Sequence, residues 1–414
     1  MVIRKRLAAI AGRAAQSGLR APSPMSSPPS RSAPSSEPMA LYVHWPFCVS
    51  KCPYCDFNSH VRAEIDNAAW RDALLSDLAH EAALNERRVL GSIFFGGGTP
   101  SLMPPAIVSA LIDAAARRWT LAPGIEITLE ANPSSVEAAR FADLAAAGVN
   151  RVSLGLQSLE DEALHFLGRA HDVREGLAAL DVAQSVFDRV NFDLIYARPG
   201  QSETDWEAEL ARGLSLGTGH LSLYQLTIEP GTRFATLAAQ GKLTPADPDH
   251  GATLYEMTQA MTQAAGLPAY EISNHARPGE ESRHNLTYWR YGDYAGIGPG
   301  AHGRRAGMAT LRHRKPENWI SAVSRNGHGL QSEEVLDAAS KGREALLMGL
   351  RLAEGVDLDR IARLAERQVE QLVDEGAIAR LAALGLLRRE GPRLRVTPAG
   401  MLLLDAILPE IVTV

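Results

Sequence analysis

The chain has 414 residues, of which 45% are hydrophobic and 22% charged, and its formal net charge is -6. A chain of this length exceeds what one hydrophobic core usually supports, so we expect one large domain and one smaller domain. The negative net charge does not favour nucleic acid or an anionic membrane as a partner. No apolar run reaches the roughly 18 residues that predict a membrane-spanning helix.

The first 38 residues differ in composition from the rest of the chain. They are rich in Arg, Ser, Pro and Ala and contain one acidic residue, Glu37. This composition predicts a disordered tail over residues 1–38. It is also compatible with an organellar transit peptide, or with a translation start at Met25 or Met39. We expect a cytoplasmic protein.

Six β-rich runs alternate with amphipathic helical stretches between residues 40 and 230. The runs are LYVHW from Leu41, SIFF from Ser92, IEITLE from Ile125, RVSLGL from Arg151, VNFDLIY from Val190 and HLSLYQLTI from His220. Strands that alternate with helices predict parallel βα units. Six such units predict an α/β fold, a partial (β/α)6 TIM-like barrel, which we place in residues 39–325.

Residues 326–414 have a different pattern. Three helical segments precede LLRREGPRLRVTP, which indicates two short strands joined by a Gly-Pro turn, and a last helix follows from Pro398. This order predicts a small winged-helix-like domain. Four arginines cluster around the hairpin, which makes nucleic-acid binding one hypothesis. The overall acidity of the chain favours a shielding or docking role instead. The arginines are Arg388, Arg389, Arg393 and Arg395.

All three cysteines of the chain, Cys48, Cys52 and Cys55, lie within eight residues. An odd number of crowded cysteines does not suit a disulfide framework. The C-x3-C-x2-C spacing supplies three thiolates, the ligands that iron-sulfur clusters use, and leaves one iron without a cysteine. The alternative is a three-cysteine zinc site completed by His44 or His60.

Polar or flexible residues follow the ends of the predicted strands. The cysteine run follows the first strand and GGGTP, with Gly97, Gly98 and Thr99, follows the second. Glu130, Gln157 and Asp193 lie at or near the ends of the next three. In barrel-like folds these ends meet at one face, so we expect these residues to line a common site. The alternative for each charge is an ordinary ion pair or a solvated position.

The motif CVSKCPYC followed by GGGTP resembles the radical S-adenosylmethionine (SAM) superfamily. That resemblance implies a [4Fe-4S] cluster on the three cysteines, with the open iron chelating SAM. LYVHWPFC, FFGGGTPS, LEANP, GLQS, FDLIYARPGQ and LYQLTIEPGT further resemble the oxygen-independent coproporphyrinogen III oxidases and the HemW haem chaperones, over residues 40–410. The resemblance implies SAM contacts by Tyr42, Tyr54, Gly98, Thr99, Glu130, Gln157, Arg169 and Asp193, with Gly97 beside them.

Two features separate the branches of that family. The oxidase branch carries a further cysteine two residues after the third cluster cysteine, where this chain has Phe57. The segment HNLTYW matches the HNxxYW motif of the chaperone branch, and makes His284, Asn285, Tyr288 and Trp289 candidates for haem contact. Imidazole can ligate iron, and aromatic rings can pack on the macrocycle.

Two functions are therefore compatible with the sequence. The favoured one is a chaperone that delivers haem to apo-haemoproteins, such as those of respiratory chains. The alternative is oxidative decarboxylation of coproporphyrinogen III through a 5'-deoxyadenosyl radical. The sequence identifies neither a catalytic residue nor the electron donor, and a homodimer is one option for the assembly.

Overall fold

The computed structural model describes residues 37–414, so the predicted tail over residues 1–38 lies outside the described residues except for its last two. The β-strands are β1 (Met39–Trp45), β2 (Phe47–Cys48), β3 (His60–Val61), β4 (Val89–Gly97), β5 (Thr120–Ala131), β6 (Arg151–Gln157), β7 (Arg189–Tyr196), β8 (His220–Gln225), β9 (Asn274–Ala276), β10 (Tyr294–Ile297), β11 (His302–Arg305), β12 (Met308–Arg312), β13 (Leu330–Val335), β14 (Val356–Asp357), β15 (Leu387–Glu390) and β16 (Arg393–Val396).

The α-helices begin after the cysteine run. They are α1 (Asn67–Leu84), α2 (Pro105–Arg118), α3 (Ser135–Ala138), α4 (Phe141–Ala146), α5 (Asp161–Phe166), α6 (Val173–Val186), α7 (Glu203–Ser215), α8 (Arg233–Ala239), α9 (Pro248–Ala264), α10 (Arg283–Trp289), α11 (Pro316–Asn326), α12 (Ala338–Gly349), α13 (Leu358–Leu364), α14 (Glu375–Ala383), α15 (Pro398–Met401) and α16 (Leu404–Ile411). In the described part of the chain, none of them has the length and hydrophobicity needed to cross a membrane.

The six predicted strands lie side by side in chain order, as β1, β4, β5, β6, β7 and β8. Every neighbouring pair among them is parallel. The sheet does not close on itself, because β9 and β13 are its two edges. The predicted α/β fold with a partial six-stranded barrel is confirmed. Parallel strands are buried on both faces, which explains why these segments are apolar runs.

Beyond β1, the sheet continues through strands that the sequence pattern did not reveal. β10 pairs with β1 in parallel, and β11, β12 and β13 follow as antiparallel neighbours. Their sequences include HGRR and LQSEEV, which lack a hydrophobic run. β13 lies after the predicted domain boundary at residue 326 but pairs with β12 of the large sheet. The division at that residue stays a prediction.

The helices start where side chains satisfy the free N–H groups of the first turn. Asp66, Asp172 and Ser202 accept hydrogen bonds from backbone N–H groups at the starts of α1, α6 and α7. Such caps are worth about 1 kcal/mol each. The helices then pack on the sheet around a core that includes Trp45 and Trp206, both fully buried.

The C-terminal unit has its own hydrophobic core. Helices α12, α13 and α14 precede the hairpin of β15 and β16, and β14 adds a third strand in the order β14-β16-β15. This arrangement confirms the predicted winged-helix-like unit. Trp289 and Tyr291, at the end of α10 and just beyond it, belong to this second core. The segment that contains HNLTYW therefore connects the two cores.

Candidate functional site

A cavity of about 580 Å³ lies at the carboxyl ends of the parallel strands. Most of the residues predicted for the site line it. They are Cys48, Cys52, Tyr54, Cys55, Gly98, Thr99, Glu130, Gln157, Arg169, Asp193, Asn285, Tyr288 and Trp289. Tyr42, Gly97 and His284 are not on its wall. The volume is within the range of small-molecule and cofactor sites.

The cysteines occupy the end of β2 and the loop between β2 and β3. All three are free thiols with intermediate exposure. Burial raises the pKa of the Cys48 thiol and raises that of Cys55 to about 11. These thiols therefore keep their protons at neutral pH until a metal displaces them.

A polar network reaches two of the three sulfur atoms. Thr99 Oγ1 donates to Cys48 Sγ at 3.4 Å, and Asn132 Nδ2 donates to Thr99 Oγ1 at 3.1 Å. Arg169 Nη2 donates to Asn132 Oδ1 at 2.6 Å, while its Nη1 donates to Cys52 Sγ at 3.4 Å. Donors of this kind stabilise negative charge on thiolate sulfur. The network suits a negatively charged iron-sulfur centre.

The arrangement does not suit a single zinc ion. Within residues 37–414, no three histidine, cysteine, aspartate or glutamate side chains converge closely enough to hold one metal ion. The proposed fourth zinc ligands are also engaged: His44 Nε2 donates to the Asn58 carbonyl at 2.9 Å, and His60 Nε2 lies 3.2 Å from Asn58 Oδ1. A four-iron cube binds its sulfur ligands at separate corners, so it fits thiols that do not meet at one point.

The glycine loop approaches the cysteine loop at backbone distance. Gly98 N donates to the Trp45 carbonyl at 2.7 Å, and a Cβ at Gly98 would lie 2.7 Å from the Phe47 carbonyl oxygen. Gly97 has a φ of +121°, and its N–H donates to Glu130 Oε2 at 3.0 Å. Only glycine tolerates the positive φ at Gly97, and only glycine allows the close backbone approach at Gly98. Gly97 therefore determines the backbone conformation of the glycine loop but does not itself line the cavity.

Two carboxyl groups, Glu130 and Asp193, face the cavity from β5 and β7. Burial, and then the proximity of Glu130, raise the pKa of Asp193 to about 7. Ser153 Oγ donates to Asp193 Oδ1 at 3.4 Å. Two neighbouring carboxyl groups in a buried site favour a ligand that brings positive charge or hydrogen-bond donors.

Gln157 and the tyrosines have distinct settings. Gln157 ends β6 with a φ of +71°, a strained conformation for a residue other than glycine. Tyr54 is buried, and its hydroxyl lies 3.5 Å from Arg169 Nη1. Tyr42 instead donates its hydroxyl hydrogen to His44 Nδ1 at 2.9 Å, behind the cavity wall. Tyr42 as a direct SAM contact stays a prediction.

The HNLTYW segment forms helix α10, whose residues divide between the cavity and the interior. Asn285, Tyr288 and Trp289 line the cavity. His284 is 4% exposed, its ring stacks on Phe94 with centroids 4.8 Å apart, and its Nδ1 lies 3.1 Å from Ser92 Oγ. The structure therefore separates His284 from the other three candidates for haem contact.

The cavity wall also contains polar residues that were not predicted from the sequence, among them His171, Glu271 and Asn274. Asn274 Nδ2 donates to Glu271 Oε1, but Glu271 Oε2 and Asn274 Oδ1 have no hydrogen-bond partner in residues 37–414. Buried acceptors without partners favour a bound donor. His171 could have been selected from the sequence, because it follows the predicted site residue Arg169 by two residues. Glu271 and Asn274 lie outside the six predicted strands, so the pattern of strand ends did not include them.

Comparison with known proteins agrees with this site. The profile of the Radical SAM superfamily matches residues 42–212, and that of the HemN C-terminal domain matches residues 336–403. The protein named Heme chaperone HemW of Escherichia coli (strain K12) is 39% identical over 383 residues, which cover 90% of this chain and 97% of that protein. The chain belongs to the HemW family of radical SAM proteins.

A protein whose name describes it as mitochondrial is similar to the same extent. Radical S-adenosyl methionine domain-containing protein 1 of Bos taurus is 39% identical over 400 residues, which cover 92% of this chain and 88% of that protein. Among solved structures, coproporphyrinogen III oxidase (HemN) from Escherichia coli has a TM-score of 0.76 at 24% identity, covering 90% of this chain and 89% of HemN. At that identity the likeness shows a common fold.

Proposed function

We propose that this protein is a haem chaperone that holds a [4Fe-4S] cluster on Cys48, Cys52 and Cys55, binds SAM beside it, and passes haem to apo-haemoproteins. The observation that carries the proposal is the common cavity. It is lined by the three free thiols, by the expected SAM residues other than Tyr42 and Gly97, and by three residues of HNLTYW. The 39% identity to a protein named Heme chaperone HemW supports the same function.

The SAM part of the proposal rests on the polar groups around the cavity. Arg169 offers a guanidinium that can pair with the methionine carboxylate. Glu130 and Asp193 can accept hydrogen bonds from an ammonium group or from ribose hydroxyls. The cluster, when bound, supplies an electron and an open coordination position. The protein holds the ligand in place and keeps water from the centre.

The haem part of the proposal rests on the residues of HNLTYW that line the same cavity. Tyr288 and Trp289 present aromatic side chains there, and Asn285 adds an amide. Aromatic rings pack well against a flat macrocycle. Phe57 stands where the oxidase branch has its further cysteine, which disfavours oxidase activity.

The proposed partners are haem and apo-haemoproteins, including those of respiratory chains, in the cytoplasm. Nucleic acid is not among the proposed partners. Arg388 and Arg389 of the hairpin pair with Glu390 and Glu375, so part of the basic cluster is neutralised. A homodimer is proposed as one form of the assembly.

The test uses full-length protein prepared anaerobically with iron and sulfide. Haem is titrated in the presence of SAM, and transfer to an apo-haemoprotein is followed by absorption. Stable haem uptake and delivery, with no protoporphyrinogen formed from coproporphyrinogen III, is the expected result. Protoporphyrinogen formation on repeated turnover, or failure to take up haem, would overturn the proposal.

A further inference from the structure

The cavity wall contains one histidine. The chain has twelve, all within residues 37–414, and His171 is the one that lines the cavity in this part of the chain. It lies between α5 and α6, two residues after Arg169. The three thiols are needed for a cluster, so in the described part of the chain His171 is the imidazole that remains available to a metal inside this cavity.

The hydrogen bonding of His171 fixes which ring nitrogen is available. The residue is 6% exposed, and its Nε2 lies 3.2 Å from the carbonyl oxygen of Leu156. A carbonyl can only accept, so the proton is on Nε2 and Nδ1 keeps its lone pair. Nδ1 has no hydrogen-bond partner among the described residues.

This arrangement is the one that metal-binding histidines use. Their second ring nitrogen commonly donates to a backbone carbonyl, which orients the ring and fixes the tautomer. Burial, together with the nearby Arg169 guanidinium, lowers the pKa of His171 to about 4. The imidazole is therefore neutral at physiological pH, the form that coordinates iron.

His284 has a different setting. Its ring is stacked on Phe94, and Tyr42 lies beyond it with ring centroids 6.2 Å apart. Its backbone N–H donates to Glu126 Oε1 at 3.1 Å, which holds the start of α10 against the sheet. For His284 to reach an iron in the cavity, this buried packing would have to be broken.

We propose that His171, through Nδ1, is an axial ligand of the haem iron, and that His284 supports the α10 wall without touching iron. This inference rests on the proposed haem-binding function. Tyr288 and Trp289 would contact the macrocycle, and His171, which lines the same cavity, would provide the bond to iron.

The test compares haem spectra of the full-length, cluster-containing protein and its variants. The variants are His171→Ala, His171→Met, His284→Ala and, as a matched control, His165→Ala on the exposed side of α5. Absorption and electron paramagnetic resonance report the axial ligand, and a haem titration reports affinity. Circular dichroism shows whether each variant is folded.

For His171→Ala, we expect loss of the nitrogen-ligand signature and haem binding weakened by about 10–100-fold, the range measured when even an outer partner of a metal ligand is removed. His171→Met keeps a side chain that can bind iron, so its spectrum should change to that of a sulfur ligand. His165→Ala should match the unmodified protein.

The outcomes separate this inference from the proposed function. If the unmodified protein takes up haem and both His171 variants keep its spectrum and affinity, the ligand assignment is wrong while the chaperone proposal stands. The ligand assignment is also wrong if His284→Ala alone removes the nitrogen-ligand signature. If the unmodified protein takes up no haem, both fail together.

Discussion

The cysteine end of the cavity and the start of α10, whose first two residues do not line the cavity, are held in different ways. At the cysteine end, three free thiols of intermediate exposure are contacted by a few donors from Thr99 and Arg169. At the α10 end, buried Glu126 accepts from Arg151, Arg189 and the backbone N–H groups of Arg283 and His284. The thiols of the cysteine end remain free to bind a cofactor, whereas the buried carboxylate at the start of α10 already has its partners within the chain.

Because of this difference, we expect mutations in the two regions to affect different properties of the protein. Changes at the cysteine end should affect what the protein binds, with little effect on whether it folds. Changes at the α10 end should affect stability first, because a buried charge loses its partners. The following predictions test the contrast, from the largest expected effect to the smallest.

Cys52→Ser should remove the cluster and leave the fold intact. A hydroxyl is a poor substitute for a soft thiolate ligand, so iron and sulfide content should fall to near zero after anaerobic reconstitution. Circular dichroism should match the unmodified protein. Ser50→Ala, in the same loop, is the control and should keep its iron. Unchanged iron content in Cys52→Ser would contradict the assignment.

Glu126→Ala should destabilise the protein by about 3–5 kcal/mol, because Arg151 and Arg189 lose a buried countercharge. Urea unfolding measures the effect. The control is Glu317→Ala, which breaks an exposed ion pair with Arg62 and should cost about 1 kcal/mol or less. Equal losses for the two variants would show that the α10 end is not held by the buried carboxylate.

Gly98→Ala should cost about 1–3 kcal/mol, since its Cβ would lie 2.7 Å from the Phe47 carbonyl oxygen. It should also weaken SAM binding, measured by calorimetry, because the loop must move. Gly251→Ala on helix α9 is the matched control. Its Cβ would meet nothing closer than 3.8 Å, and alanine favours a helix by up to about 1 kcal/mol. A neutral Gly98→Ala would argue against the close approach of the two loops.

Asp193 should make stability depend on pH. Burial raises its pKa to about 7, above the ordinary value of 3.8, so ionisation is unfavourable in the folded state. The folded protein should therefore lose stability as the pH rises from about 4 to about 7. Asp193→Asn removes this loss, about 4 kcal/mol near pH 8, and the two proteins should converge near pH 4. If the two proteins differed in free energy of unfolding by the same amount at pH 4 and at pH 8, this prediction would be contradicted.

The sequence was most informative where local pattern determines structure. The six parallel strands are apolar because both faces are buried, and the C-x3-C-x2-C spacing carries its chemistry in the residues themselves. β10 to β13 were not predicted, since segments such as HGRR at a sheet end have no hydrophobic period. Their placement depends on pairing with distant strands.

The residues expected to contact the cluster and SAM could be predicted from the sequence, whereas the positions of the histidines could not. Motif residues such as Thr99, Arg169 and Asp193 do line the cavity. The burial of His284 could not be inferred from HNLTYW, because it depends on Phe94 of a strand far away in the chain. The exposure of His171 to the cavity likewise follows from the turn between α5 and α6, which only the fold specifies.

The most direct test of the central claim is to add SAM to anaerobically reconstituted protein and record iron content and electron paramagnetic resonance. We predict about four irons per chain and a cluster signal that changes on addition of SAM, because one iron lacks a cysteine. Zinc or no metal at Cys48, Cys52 and Cys55, or a cluster signal that SAM leaves unchanged, would contradict it.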